Sequence, residues 1–340
     1  MTILHIITEP LFKADMALAI VDGLRQDHLI DALFYSLEEV PSNTQLSFNS
    51  TTVQLIPSRV TSAILHVNYS LYRLYNNKKK AKALIKQLQN IVTQVDVEII
   101  TIFHDIPTNK IRSLFIMNPW HNFLTKELAN ISTSIITNNH FYESHLNELS
   151  KTPTASLNHF SRAGELQSNN LLGASRCNLV ILGGIERFNI YKNHNLLRQT
   201  YDLLKIDQIV DIGTPVDWSS INTKGLKIKK MGLLNQSDTS DQLTISKVGI
   251  FDYSKYPRCL GKSSVLNAYK AHGVTPLLFK NVPSNNHDNL LAGINYIAPN
   301  QLEILKSDRS IAKIAHANYD SYQTHNRSQW VKLIKTVTYN

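Results

Sequence analysis

The stretch Pro257 to Phe279, PRCLGKSSVLNAYKAHGVTPLLF, sets a Gly-Lys-Ser-Ser run directly ahead of a helical pattern and then a strand. These are the parts of an anion site. A helix start presents backbone N–H groups and the positive end of its dipole, and Lys262, Ser263 and Ser264 add one charge and two hydroxyls. The helix is read from Val265, Leu266, Ala268, Tyr269 and Ala271, which recur at three-and-four spacing. A nucleotide-triphosphate loop does not match, because it needs a glycine where this chain has Tyr256, with Pro257 and Arg258 following. The competing reading is an ordinary N-cap, which serine fills in any helix.

Two further residues are placed for acid–base chemistry. Asp15 lies between the first predicted strand and the first predicted helix, as a proton acceptor or as that helix's cap. His104 directly follows the strand-like run VDVEIITIF and precedes Asp105; adjacent residues on a strand point apart, so the two make no dyad. The other histidines, His5, His140 and His272 among them, lack metal-ligand spacing, and Cys177 and Cys259 make neither a disulfide framework nor a zinc set. No metal is expected.

The elements that must hold these residues alternate along the chain. TILHIIT, IDALFYSL and TTVQLIP read as strands, with ADMALAIVDGLRQ as a helix after the first; a long basic helix is predicted from about Thr61 to Thr93. VDVEIITIF, the loop HDIPTNK, the helix FLTKELAN and the strand STSIITNN follow. A polar stretch carrying Pro153 then interrupts the pattern, and alternation restarts with RCNLVILGG, HNLLRQTYDLLK, IDQIVDIG, KIKKMGLL, SDTSDQLTIS, KVGIFDYS and VTPLLF. Strand and helix in alternation imply crossovers and parallel sheets covered on both faces. The expected fold is α/β, two doubly wound, Rossmann-like domains facing a cleft, with boundaries at 1–160 and 175–318; ligands in such sheets bind at the carboxyl ends of the strands.

The 340 residues suit about two domains, and a hydrophobic content of 43% with 12 glycines and 11 prolines indicates a folded globular chain. No apolar run approaches the roughly 20 residues of a membrane helix. The start, MTILHIITEPLFKAD, has no basic leader, so a cytoplasmic location is expected. The net charge of +9 is densest at Lys78, Lys79, Lys80, Lys82 and Lys86. That run reads either as a solvated helix face or as a docking surface for anionic lipid, which would make the protein peripheral at the inner face of the membrane. Nucleic acid is not an expected partner, since no helix-turn-helix, zinc-finger or aromatic-basic ribonucleoprotein signature is present.

Four segments in the second half, MGLLNQSDTSDQL, VGIFDYS, LGKSSVLNAYKAHGVTPLL and NYDSYQTHNRSQW, together resemble the nucleotide-sugar-binding domain of GT-B glycosyltransferases, the bacterial, nucleotide-sugar-dependent kind. ILHIITE and FHDIP resemble that fold's acceptor-side domain, and the C-terminal helix, 319–340, resembles the one that crosses back to it. The resemblance implies a transferase moving a sugar from a nucleotide-diphosphate donor to a glycan, lipid-linked or other acceptor. The donor is a co-substrate, and no cofactor is expected. It implies that Lys262, Ser263 and Ser264 hold the diphosphate, that Arg187 and Lys192 in GGIERFNIYK are aimed at the same phosphates, and that Asn267 hydrogen-bonds the sugar or ribose. Asp15 is the candidate base of an inverting reaction; His104 is either a base or a contact to the donor sugar.

The chain departs from the family in two ways. Where many retaining members carry a glutamate pair separated by seven residues, it has Cys259 and Asn267, and ITEPLFKADMALA lacks the usual paired glycines. Two other readings therefore stand: a binding or scaffold protein of this fold without turnover, and a sugar-nucleotide epimerase of the same architecture.

Overall fold

The computed structural model describes residues 2–7, 19–22, 24, 31–36, 60–107, 119–166, 176–253, 259–281 and 290–339. The chain divides into two compact units, Met1–Asn158 with Arg327–Asn340, and His159–Asn326. Both are doubly wound parallel α/β layers.

In the first unit, β1 (Thr2–Ile7), β2 (Asp31–Ser36), β3 (Val60–Val67), β4 (Glu98–Phe103), β5 (Ser134–Thr137) and β6 (Thr154–Ser156) form one sheet in the order β2-β1-β3-β4-β5-β6. Every pairing is parallel. The expected strand TTVQLIP lies outside the described residues. The long helix expected from Thr61 is corrected: Val60–Val67 is a central strand, and helices follow only at α1 (Tyr69–Leu74) and α2 (Lys78–Val95). Ala63, Ile64, Leu65 and Val67 are all buried, as a strand covered on both faces requires, and such a strand shows no alternation to set it apart from a helix. Asn68 and Asn77 mark where helix begins, each accepting from a first-turn N–H, Leu71 N at 3.3 Å and Lys80 N at 3.0 Å. Leu84, Leu88 and Ile91 of α2 are fully buried. Each such side chain contributes about 1.5–3 kcal/mol on leaving water. After α3 (Pro119–Asn130) and β5, the unit continues with α4 (His140–Leu149) and edge strand β6.

In the second unit, β7 (Asn178–Gly183), β8 (Gln208–Gly213), β9 (Ile228–Gly232), β10 (Ser246–Phe251) and β11 (Thr275–Leu278) take the order β11-β10-β7-β8-β9, again all parallel. Its helices are α5 (Phe188–Lys192), α6 (His194–Leu204), α7 (Gln236–Thr244), α8 (Ser264–Ala271) and α9 (Asp308–Gln323). Alternate residues of each strand serve opposite faces. Leu179, Ile181, Ile209 and Ile250 pack with Leu197 of α6 and Ile311 and Ile314 of α9, while Val180, Val210, Ile212 and Phe251 pack with Leu243 of α7 and Leu266 and Tyr269 of α8. The single C-terminal helix expected at 319–340 is two, since α9 ends at Gln323 and α10 (Arg327–Tyr339) belongs to the first unit. Among the described residues, no helix is long and apolar enough to cross a membrane.

Candidate functional site

From β7 the chain passes to β8 and β9 on one side, and β10 returns to the other, so β7 and β10 flank the point where the winding reverses. Their carboxyl ends diverge there and leave a crevice, the place where open α/β sheets bind ligands. The β7–β10 ladder ends at Ile181 opposite Ile250. Beyond it the Tyr269 hydroxyl takes the place of a ladder bond, accepting from Leu182 N at 3.1 Å and donating to Ile250 O at 3.0 Å. The ring reaches this point because residue 249 is glycine; a Cβ there would lie 2.5 Å from it. Burial raises the Tyr269 phenol pKa and keeps the donor proton in place. Tyr269→Phe leaves the half-buried Leu182 N–H and the buried Ile250 C=O without this partner, which is expected to cost about 1–2 kcal/mol. Thermal unfolding of the variant checks this, and an unchanged midpoint would remove the hydroxyl bridge as a support of the crevice.

The crevice opens into a cavity of ≈ 320 Å³. Gly183 and Gly184 form one wall, Asp252 and Tyr253 after β10 another, and Lys262 to Val265 at the start of α8 a third. A neighbouring hollow of ≈ 460 Å³ shares Gly183, Gly184, Ser264 and Val265 and runs on to Thr214 after β8 and Gln236 of α7. Both lie within the second unit.

The start of α8 combines both sequence readings. Ser263 is the cap: it is buried, and its Oγ accepts from Leu266 N at 3.1 Å. The Asn267 N–H closes the first helical turn onto Ser263 O. The amides of Ser264 and Val265 have no acceptor within the helix, and both residues line the cavity. Ser264 is exposed and Lys262 half-buried, so a hydroxyl and an ammonium stand beside two amides at the positive end of the helix.

Arg187, expected to face phosphates, is among the residues lining the 320 Å³ cavity, and its guanidinium hydrogen-bonds within the protein. It is 3% exposed, and its Nε and Nη2 each donate to Asp211 at 2.9 Å while Nη1 donates to the carbonyls of Gly183, at 3.2 Å, and Gly184, at 3.0 Å. Tyr191 donates to the same carboxylate at 2.5 Å. The guanidinium thus ties the loop after β7 to β8. Gly213 fits under this tie with φ at +140°, and a Cβ there would lie 1.8 Å from Gly183 O.

Lys192, at the end of α5, is exposed with its Nζ 4.6 Å from the Phe188 ring and is not in either cavity wall. Asn267, expected at the sugar or ribose, is fully buried: its side-chain N–H donates to Gly261 O at 2.9 Å and its Oδ1 lies 3.2 Å from His325 Nε2. Burial, with the ammonium of Lys270 beside it, pushes the His325 pKa down to about 2, so that ring is neutral. Cys259 is likewise fully buried. Asp15 lies outside the described residues.

His104 directly follows β4 in the first unit, and sequence reasoning missed what it joins. His5 Nδ1 lies 3.0 Å from His66 Nε2, and His66 Nδ1 lies 3.0 Å from His104 Nε2, a row of buried imidazoles across β1, β3 and β4. Burial, then the neighbouring rings of His104 and His5, hold His66 well below the usual histidine pKa. Also missed were Glu186 and Asp252, the carboxylates in the wall of the 320 Å³ cavity. The available signal was positional, because each falls within three residues of the end of a strand flanking the reversal. Among the described residues no His, Cys, Asp and Glu group is arranged to hold a metal ion.

No family model and no curated protein matches the sequence. Solved structures match the whole fold at low identity. HepE from Anabaena, in complex with UDP and glucose, is 12% identical with 99% of each chain covered and a TM-score of 0.63. An α-glucosyltransferase in complex with UDP-glucose and DNA containing an abasic site is 11% identical with both chains fully covered and a TM-score of 0.60. A Listeria monocytogenes structure designated a candidate UDP-N-acetylglucosamine 2-epimerase is 11% identical, covering 98% of this chain and 94% of that one, with a TM-score of 0.57. The two parallel α/β units therefore have the GT-B fold.

Proposed function

We propose that this protein is a glycosyltransferase that takes a sugar from a nucleotide-diphosphate donor bound at the reversal point of the second sheet. One observation carries the reading: the cavity where β7 and β10 part has two glycines in one wall and the open amides of α8, with Lys262 and Ser264, in another. Glycines let phosphate oxygens approach the backbone, and the helix start with its ammonium meets their charge. The fold neighbours solved with UDP or UDP-glucose support a nucleotide-sugar as the ligand class.

In the proposed reaction the bond from the anomeric carbon to the diphosphate oxygen breaks, and its electron pair stays on the leaving phosphate. The acceptor oxygen bonds to that carbon and its proton passes to a base. Charge grows on the diphosphate as the bond breaks, so the donors at Ser263, Ser264 and Lys262 stabilise the transition state more than the ground state. Glu186 and Asp252 accept hydrogen bonds from sugar hydroxyls, and Arg187 positions the Gly183–Gly184 wall. Asp15 and His104 are the proposed acid–base or sugar-contacting groups.

The test is thermal unfolding of the full chain against UDP, GDP, ADP and CDP. A ligand present at a hundredfold over its Kd stabilises the folded state by about 2.7 kcal/mol. A raised midpoint with one of them is the expected result; no shift with any at millimolar concentration removes the donor site and favours the scaffold reading, to which the buried Cys259 and Asn267 also lean. The Listeria neighbour favours a second reading, an epimerase, which interconverts nucleotide-sugars without an acceptor, whereas a transferase releases the diphosphate only when an acceptor is present.

A further inference from the structure

The lysine run has no part in the chemistry above, and its structure is unusual for a merely solvated face. Lys78, Lys79, Lys80, Lys82 and Lys86 are all exposed on α2, a helix with no acidic residue between Lys78 and Val95. Three of them occupy the first turn, where the helix dipole opposes positive charge. Among the described residues no carboxylate forms an ion pair with any of the five. At 3.6 residues per turn, Lys78, Lys79, Lys82 and Lys86 fall within roughly 100° of one another, with Lys80 apart. The buried line of Ala81, Leu84, Leu88 and Ile91 lies away from them. Beside this stripe stands Trp120 of α3, half-buried, with the Lys78 ammonium 5.7 Å from its ring and the Phe123 ring 6.0 Å away edge-on. Lys126 of α3 is also exposed, and the carboxylate of that helix, Glu127, lies two turns beyond Trp120.

We infer that the α2–α3 face of the first unit docks on an anionic lipid surface, the lysines meeting the headgroups and Trp120 the interface. The stripe is lysine alone. Ammonium groups on flexible stems suit a diffuse sheet of charge, whereas the planar forks of arginine that grip individual phosphates of a nucleic acid are absent from it. An indole beside the charges matches the boundary between headgroups and acyl chains. The inference stands independently of the donor-site reading.

The experiment is sedimentation of the full chain with vesicles of phosphatidylserine and phosphatidylcholine in a ratio of about one to two, and with phosphatidylcholine alone. The wild type is expected on the anionic vesicles only, and to be released by salt. Each lysine at such a surface gives about a fivefold gain, so Lys79→Gln with Lys82→Gln and Lys86→Gln is expected to lower partitioning on the order of a hundredfold. The matching triple to arginine keeps the charge and is expected to bind as the wild type, and Trp120 emission is expected to shift to the blue on binding. Equal partitioning of the glutamine triple, equal binding to neutral vesicles, or no vesicle binding by the wild type would overturn the inference. So would tighter binding to duplex DNA than to anionic vesicles at the same ionic strength, which would reassign the face to nucleic acid.

Discussion

Asp211→Ala is expected to lower the thermal midpoint of the full chain by about 10 °C, the equivalent of about 3–5 kcal/mol. The reason is what remains. Asp211 is 2% exposed and takes two hydrogen bonds from Arg187 and one from Tyr191. Removing it leaves a guanidinium in the core with no counter-charge from β8, and the loop carrying Gly183 and Gly184 loses its tie to that strand. A surface pair behaves differently: Arg198 and Asp202, a helical pair at 2.8 Å with both side chains open to water, contribute little because solvent screens them. The measurement is thermal unfolding, and a shift of only one or two degrees would show that water or another group reaches Arg187 once the carboxylate is gone.

The same pair decides what Arg187 does. Replacing both partners with leucine removes the buried charge together with its neutraliser, and such double replacements are often close to neutral for stability. If Arg187 acts by holding the glycine wall, the double variant recovers most of the lost stability and binds nucleotide with a moderate loss. If the guanidinium touches phosphate directly, as the family resemblance implies, stability recovers and binding does not. The two roles separate in one protein.

Why the sequence pointed to phosphates at Arg187 is instructive. A glycine-ended strand followed by Arg187 and Lys192 is a legible local signal, but the partner that captures the arginine is 24 residues later on the next strand, and no periodicity reveals it. Strands β7, β8, β10 and β11 were legible as short, mostly apolar runs, and Ser263 caps α8 as its residue type suggests. Val60–Val67 reads as helix for a physical reason: a central parallel strand is buried on both sides, and the helices that follow carry leucines that blend into it. Asn68 and Asn77 held the correction in plain view as caps. Asn267 shows the opposite limit, since its position on α8 was correct and its direction, inward to Gly261 and His325, was set by packing. Tyr269 was readable as a core residue, yet its role as a substitute ladder bond depends on Gly249 in the strand before its helix.

Lys262→Ala combined with Ser264→Ala is expected to weaken nucleoside diphosphate binding by about 3 kcal/mol, or somewhat over a hundredfold in Kd. The size follows from charge. Each lost contact is a hydrogen bond to an anionic oxygen, worth about 1.5–3 kcal/mol, and the amides of Ser264 and Val265 remain to hold part of the ligand. The fold is expected to stand, because Ser264 is exposed, Lys262 is half-buried and the cap at Ser263 is untouched. Ser263→Ala provides the contrast: losing a cap costs about 1 kcal/mol of stability, while its backbone stays where the diphosphate would sit. Calorimetric titration with the nucleotide selected by the thermal panel measures the first effect and thermal unfolding the second. Should the double variant bind as tightly as the wild type while the wild type binds at all, the nucleotide lies elsewhere on the chain and the start of α8 is a helix cap only. A large loss in the double variant with a small one in Ser263→Ala would instead divide the two serines by function, one closing the helix and the other facing the charge that the reaction creates.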